Sequence, residues 1–365
     1  MKKFIVLFTG LLFSINLFSQ ATHYIISGKV FDAQSKLPLQ AASVFAQNTT
    51  IGTATDTAGR FTLELPNGGY ELVVTFTGYQ IETKRITTGD AADKNIVIEI
   101  KQKEKEMQDV VIKSSNEVTN GWEKYGDFFL ENFIGKTQNS KQCSIKNTAA
   151  LKFYFSKKRN RLKIIATAPL EIVNESLGYN IKYTLDSFTH EYNTQVSLYT
   201  GYPLFEEIQP ADEVQKNKWK ANRQVAYNGS ILHFMRSLYQ KKLTEEGFEI
   251  QFLLKINDKE TPIPVKNLYG GLNYKMDDST QTVEIMPNQH EVAVLYKSEQ
   301  PSTLYLDVNP EASAKFELSV LSFIPKETII LEQNGYYYDQ NVITINSYWA
   351  WEKVGDMLPY DYKPL

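Results

Sequence analysis

Cysteine is nearly absent from this chain: Cys143 is the single one in 365 residues. No internal disulfide can form, so stability must come from packed cores. Cys143 sits in Lys141-Gln142-Cys143-Ser144-Ile145 and reads as a small apolar residue taken into a core rather than a catalytic thiol. Histidine is scarce as well, with His23, His190, His233 and His290 the full set of four. Zinc peptidases place His and Glu at short fixed spacing so that the ligands converge on one ion; neither His-Glu-x-x-His nor His-x-x-Glu occurs. The adjacent pairs His190-Glu191 and His290-Glu291 would point to opposite faces of a strand. No metal site and no cofactor are expected. The frame Gly-x-Ser-x-Gly is missing, the nearest string being Tyr227-Asn228-Gly229-Ser230-Ile231, and so are phosphate-binding loops. A net charge of −3 supplies no basic field for nucleic acid.

Long apolar runs are lacking too, except at the start. Lys2 and Lys3 precede an apolar stretch from Phe4 to Phe18, followed by Ser19-Gln20-Ala21. A positive end, an apolar core and small residues make a secretory signal peptide, and the run is short for a membrane-spanning helix. Residues 1–21 are therefore expected to be removed after Gln20 or Ala21, leaving no membrane span. No cysteine follows the apolar core, which argues against a lipoprotein anchor.

Apolar residues at 42% and charged residues at 22% are ordinary for a globular protein, whereas 22 Tyr and 20 Phe favour sheet over helix. Between Tyr24 and Ile100 short strand candidates recur between turn residues. The clearest is Phe61-Thr62-Leu63-Glu64-Leu65, which alternates with the period of two that one buried face demands. Asp56 followed by Gly59, and Pro66-Asn67-Gly68-Gly69, are turn signals. Six or seven strands in this length imply an antiparallel sandwich over residues 22–100. The string Gly28-Lys29-Val30, Asp32, Leu37-Pro38-Leu39, Gly52-Thr53, Thr55-Asp56, Gly59, Phe61, Leu63, Tyr70 and Gly78-Tyr79 resembles the carboxypeptidase regulatory-like family, a transthyretin-like sandwich. The resemblance covers about the first quarter of the mature chain. It implies an accessory unit without catalytic residues, found beside metallocarboxypeptidase domains and at the N-terminus of bacterial outer-membrane proteins. A setting in the bacterial envelope follows from it, periplasmic or outer-membrane associated, but no activity does.

Residues 101–119 read as a linker, opening on the charged run Lys101-Gln102-Lys103-Glu104-Lys105-Glu106. Met107-Gln108-Asp109-Val110-Val111-Ile112-Lys113 is similar to a segment of outer-membrane transporters that adds a strand to a periplasmic partner. A last sandwich strand, or the first strand of the next domain, is the simpler account.

Residues 120–365 read as a β-rich α+β domain with about ten strands and a helical insert, so the whole chain is expected to be mainly β. Trp122, Tyr125, Phe128, Phe129 and Phe133 have helical spacing, and Leu151–Ser156 with Leu162–Thr167 suggest a hairpin. Ala211 to Lys242 should form two helices bent near Asn228-Gly229-Ser230. Strands are expected at Tyr179–Tyr192, Gln195–Tyr199, Phe248–Ile256, Glu291–Lys297, Ser302–Val308, Phe316–Ile324, Thr328–Glu332 and Val342–Trp349. Trp219, Arg223, Tyr227, Ser230 and Phe234 are expected to share one helical face. The candidate binding residues are Arg223, Tyr227, Ser230, His233 and Arg236, able to hold an acidic group or to seal an interdomain contact; ordinary surface pairing of the arginines is the alternative.

The expected function is that of a non-enzymatic exported envelope protein that binds or organises a protein or glycan partner. A hydrolase of unrecognised type, with its site in residues 120–365, is the alternative. An outer-membrane barrel fits poorly with the terminal string Pro359-Tyr360-Asp361-Tyr362-Lys363-Pro364-Leu365.

Overall fold

Period-two alternation builds the first unit. In the computed structural model, which describes residues 22–89, 95–103, 116–257, 259–338 and 342–365, seven strands precede residue 101: β1 His23–Asp32, β2 Ser43–Ala46, β3 Gly52–Ala54, β4 Arg60–Pro66, β5 Tyr70–Thr75, β6 Glu82–Ile86 and β7 Ile96–Ile100. The expected signal segment and the Met107–Lys113 segment lie outside the described residues. One sheet runs β4-β1-β7 and the other β3-β2-β5-β6. Ile26, Val30, Phe61, Leu63, Leu65, Leu72 and Val74 fill the space between them, each inward residue alternating with an outward one along its strand. All pairs are antiparallel except β1 with β7.

One end of this sandwich is closed by a polar cluster. Gly78 takes φ +83, a conformation that costs a residue without a Cβ little. It turns the chain so that the Tyr79 ring meets Phe76 at 5.3 Å and its hydroxyl donates to Asp32 at 2.6 Å. Asp32 also accepts from the Gln34 and Ser35 amides, the Ser35 hydroxyl and Gln102. These donors, led by the Ser35 amide and then Tyr79, hold the carboxyl far below the usual carboxylate range.

The middle lobe is a six-stranded sheet of β8 Cys143–Ile145, β9 Leu151–Ser156, β10 Arg161–Ala166, β11 Leu170–Asn174, β12 Tyr179–Glu191 and β13 Val196–Glu207. The long β12–β13 hairpin is its spine. Along one side of β12 lie β11 and β10; along the other lies β13, which thus forms an edge of the sheet. Helix α1, Gly121–Phe133, packs on this sheet as its spacing requires. Phe129 and Phe133 are fully buried, and their rings meet Phe188 and Tyr183 at 5.2 and 5.0 Å. Each such ring contributes about 1.5–3 kcal/mol by leaving water.

Two helices follow, α2 Glu213–Tyr227 and α3 Ile231–Tyr239. They break at Asn228–Ser230, where Gly229 takes φ +71 and Ser230 caps α3 by accepting the His233 amide. The distal lobe places α3 against two sheets. The first, β15-β14-β18-β19-β21, comprises β14 Phe248–Ile256, β15 Lys259–Pro264, β18 Glu291–Tyr296, β19 Glu317–Phe323 and β21 Ile343–Ser347. The second, β16-β17-β20, comprises β16 Lys275–Asp277, β17 Thr282–Ile285 and β20 Ile329–Leu331.

Three differences from the sequence reading stand out. Among the described residues fourteen strands lie between Cys143 and Ser347 where about ten are expected, and they surround two cores, one under each lobe. Ser302–Val308 is a helix, Thr303–Val308, where the Ser302 hydroxyl accepts the Tyr305 amide and caps the first turn. The strand expected to reach Trp349 ends at Ser347, whose φ of +65 turns the chain into the short helix Tyr348–Trp351.

Candidate functional site

The five candidate residues lie where the middle lobe, the distal lobe and residues 354–365 meet. Arg223, on α2, lies 3.9 Å from the centre of the Tyr179 ring. It donates to the Leu177 and Gly178 carbonyls and to Glu207 at 2.7, 3.1 and 2.9 Å. Tyr227, Ser230, His233 and Arg236 form one cluster across the helix break. The Ser230 hydroxyl donates to the Tyr227 carbonyl at 2.7 Å, the His233 and Tyr227 rings lie 4.8 Å apart, and Arg236 lies over Tyr227 at 5.6 Å. All three donor nitrogens of Arg236 bond carbonyls: Asn334 at 3.0 Å, Tyr362 at 2.9 Å and Tyr360 at 2.9 Å. Arg223 stands apart from this cluster.

The expected single face therefore does not exist. Trp219 and Tyr227 turn toward the middle lobe, the Trp219 indole donating to the Glu175 carbonyl at 2.8 Å, while Phe234 enters the distal core. The kink at Asn228–Ser230 rotates α3 relative to α2, so a regular spacing counted across it joins residues on different surfaces.

His233 is buried. Its Nδ1 accepts the Gly229 amide at 3.2 Å and its Nε2 lies 3.2 Å from Glu246. Burial lowers its pKa, with Arg236 acting in the same direction and Glu246 opposing, so the ring is held neutral and its two nitrogens already have partners.

The sandwich is locked into the same junction. Asn48–Thr50 runs beside β13: the Asn48 amide donates to the Pro203 carbonyl at 2.8 Å and the Phe205 amide to the Thr49 carbonyl at 2.9 Å. On its other side the Asn334 amide group donates to the Gly69 carbonyl at 2.9 Å, and Arg85 covers the Tyr338 ring. Residues 354–365 tie the three units together, since the Tyr360 amide donates to Asn48 at 2.7 Å, the Thr50 amide to Asp361 at 3.0 Å and the Gly355 amide to Ile134 at 2.8 Å.

A cavity of about 300 Å³ opens at this seam, lined among others by Thr50, Tyr179, Glu207, Arg223, Asp361 and Tyr362. Its acids are engaged, Glu207 by Arg223 and Asp361 by Thr50. A second, of about 430 Å³, lies between Tyr305, Val308, Phe316, Leu318 and Ser347.

Spacing gave no hint of a group of acids at the seam of the lobes. Glu317 opens β19 and is 6% exposed. Burial pushes its carboxyl up to about 8; Glu299 adds to the shift and the Tyr348 hydroxyl opposes it. Burial also raises Glu299, which accepts from Asn228 at 3.0 Å. Glu352 is raised by burial and by the nearby Asp356, Glu317 and Glu299. Asp356 is pushed up to about 6 by burial although Thr137 and Asn139 donate to it. These four come from positions 57 residues apart in sequence at the extremes, from Glu299 to Asp356, and no regular spacing links them. Neither cavity is lined by any of them.

The remaining titratable candidates are plain. Burial raises the Cys143 thiol to about 12; its sulfur lies 3.5 Å from the Asn139 carbonyl. His190 faces inward against Phe128 and Tyr192 at 4.7 and 4.4 Å, while neighbouring Glu191 faces out to Arg161. Among the described residues no three His, Cys, Asp or Glu side chains gather as a metal site, and no helix is long and apolar enough to cross a membrane.

Residues 26–112 match the family model of the CarboxypepD_reg-like domain. The N-terminal sandwich is a carboxypeptidase regulatory-like domain. No curated protein matches the chain. Among solved structures the chain is similar to the 3-chlorocatechol 1,2-dioxygenase of Rhodococcus opacus 1CP, at 13% identity over 22% of this chain and 60% of that one, with a TM-score of 0.19. A catechol 1,2-dioxygenase variant of Acinetobacter radioresistens matches at 12% identity over 23% and 53%, also with a TM-score of 0.19. A DUF3823 family protein of Bacteroides ovatus ATCC 8483 matches at 14% identity over 51% and 81%, with a TM-score of 0.16. The chain spans less than two thirds of either dioxygenase. These scores are far under the level at which two whole chains share a fold. The regulatory-like domain thus carries the family likeness, and the two lobes beyond it hold the site residues.

Proposed function

We propose that this protein is a non-enzymatic component of the bacterial envelope, exported by its N-terminal segment, that binds or organises a protein or glycan partner. The carrying observation is how the reactive side chains at the junction are engaged. Arg223, Ser230, His233 and Arg236 all bond groups of the chain itself, with Arg236 tying α3 to Asn334, Tyr360 and Tyr362, so they hold the fold together instead of facing a substrate. A regulatory-like domain at the front of such a body suits an accessory role.

Cell fractionation followed by cross-linking capture tests the reading. The expected result is recovery in the envelope fraction with a defined protein or glycan, and capture retained in any variant that keeps the fold. Recovery only as a free protein without partner would sink it. Arg236→Ala leaves three carbonyls without their donor and is expected to destabilise the chain by about 2–4 kcal/mol. If Arg236→Ala or Arg223→Ala instead melts normally while capture is lost, the arginines belong to a binding surface.

The alternative, a hydrolase, is favoured by one observation: the acids Glu317 and Asp356, raised to about 8 and about 6, are shifted as general acids are. A hydrolytic activity abolished by Glu317→Gln with the fold intact would establish it.

A further inference from the structure

The edge strand β13 is covered along only half its length. Its residues 201–205 carry the sandwich: the Gly201 carbonyl accepts from Gln47, the Pro203 carbonyl from Asn48, and the Phe205 amide donates to Thr49. Odd-numbered residues therefore turn their backbone groups outward here, and a strand's alternation extends this to Ser197 and Tyr199. Their outward N–H and C=O groups have no partner chain beside them among the described residues, since β13 pairs in the sheet with β12 alone.

Natural edges are guarded by charges, prolines or bulges. Val196-Ser197-Leu198-Tyr199-Thr200 has no charge and no proline, and the register irregularity of this hairpin falls on β12, between Leu185 and Ser187. Proline enters at Pro203, in the half the sandwich already covers. On the outer face of the uncovered half Leu198 is 64% and Val196 45% exposed.

We propose that residues 196–200 of β13 pair antiparallel with the same residues of a second copy of this chain, centred on Leu198. Three arguments favour this occupant. The edge already takes backbone hydrogen bonds next to this site, from the Asn48–Thr50 turn. The stretch matches itself: about a two-fold axis at Leu198, Val196 faces Thr200, Leu198 faces Leu198, and Ser197 faces Tyr199. The last pairing brings the outward backbone groups of both copies into register, and the first two cover the exposed apolar side chains. Lacking charge, the strand meets its copy without like-charge repulsion.

Sedimentation of the full chain over a wide concentration range is the test, joined to register-specific cross-linking. The wild-type chain is expected to dimerise. Leu198→Lys, at an exposed site that leaves the core alone, should weaken the dimer about tenfold or more, whereas Val225→Lys, on the exposed face of α2, should not. Under oxidation Leu198→Cys should link to itself. Val196→Cys should link to Thr200→Cys when the two are mixed, and to a far smaller extent to itself. A chain that stays monomeric at every concentration with no Leu198→Cys link, or a dimer indifferent to Leu198→Lys, overturns the proposal.

Discussion

Asp32 of the regulatory-like domain and Glu317 of the distal lobe are both more than nine-tenths buried, at 3% and 6% exposed, yet their surroundings drive them in opposite directions. Asp32 collects donors from Gln34, Ser35, Tyr79 and Gln102 and stays an anion. Glu317 has the Tyr348 hydroxyl for company and Glu299 and Glu352 as neighbours, and it is an uncharged acid at neutral pH. Burial alone therefore does not decide the charge of a carboxyl; the donors packed around it do. The first unit closes its end with an ion; the distal lobe buries Glu317 as an uncharged acid.

The largest expected effect tests the ionised member. Asp32→Asn substitutes one acceptor oxygen and two N–H groups where several donors converge, and should lower the melting temperature by roughly 5 °C or more. If calorimetry finds Asp32→Asn milder than Glu317→Gln at neutral pH, the contrast fails.

Glu317 sets the next effect. Its folded pKa, about 8, lies above the ordinary value of 4.5. Its stabilising contribution is complete below pH 4.5 and is lost as pH rises through 8, by up to about 1.4 kcal/mol per unit between those limits. Glu317→Gln lacks this slope, so above pH 8 the variant should be the more stable chain by on the order of 1–3 kcal/mol. Urea unfolding at acid and alkaline pH reads the difference; parallel curves for the two chains would show that Glu317 is ionised in the fold.

The smallest effect appears on the acid side. Burial lowers the pKa of His190 below 6.5, so its contribution is present above pH 6.5 and is lost as pH falls through the folded value. His190→Gln should flatten the decline in stability below pH 6.5 while costing a little at pH 8, where Phe128 and Tyr192 lose a ring neighbour. A steeper decline in the variant would mean that His190 is charged in the native chain.

How far the sequence discloses this depends on the range of the signal. The helix at Gly121–Phe133 and the break at Asn228–Ser230 were legible, because a 3.6-residue period and a Gly beside a capping Ser are local facts. The alternation of Phe61, Leu63 and Leu65 located a sandwich strand for the same reason. Lys259–Pro264 was not legible, since Pro262 and Pro264 argue against a strand; as an edge paired only with β14 it tolerates them. In Leu170–Asn174 the apolar Val173 and the buried Asn174 break the alternation, and Thr282–Ile285 is too short to show a period. At the junction the sequence suggested Arg223 and Arg236, yet apart from Glu207 their partners are backbone carbonyls, which no side-chain pattern encodes. Glu299, Glu317, Glu352 and Asp356 meet only through tertiary packing.

The strap of residues 354–365 orders events in time. Its contacts reach back to Asn48 and Thr50, across more than 300 positions. Contacts of such separation close late, after local hairpins and helices have formed. The sandwich can therefore fold on its own as the chain emerges, but it reaches its final seat only when the last-made of these residues arrive. Until then β13 offers its whole length to any neighbouring strand, which makes the interval before the strap closes the period in which this chain is most exposed to mispairing.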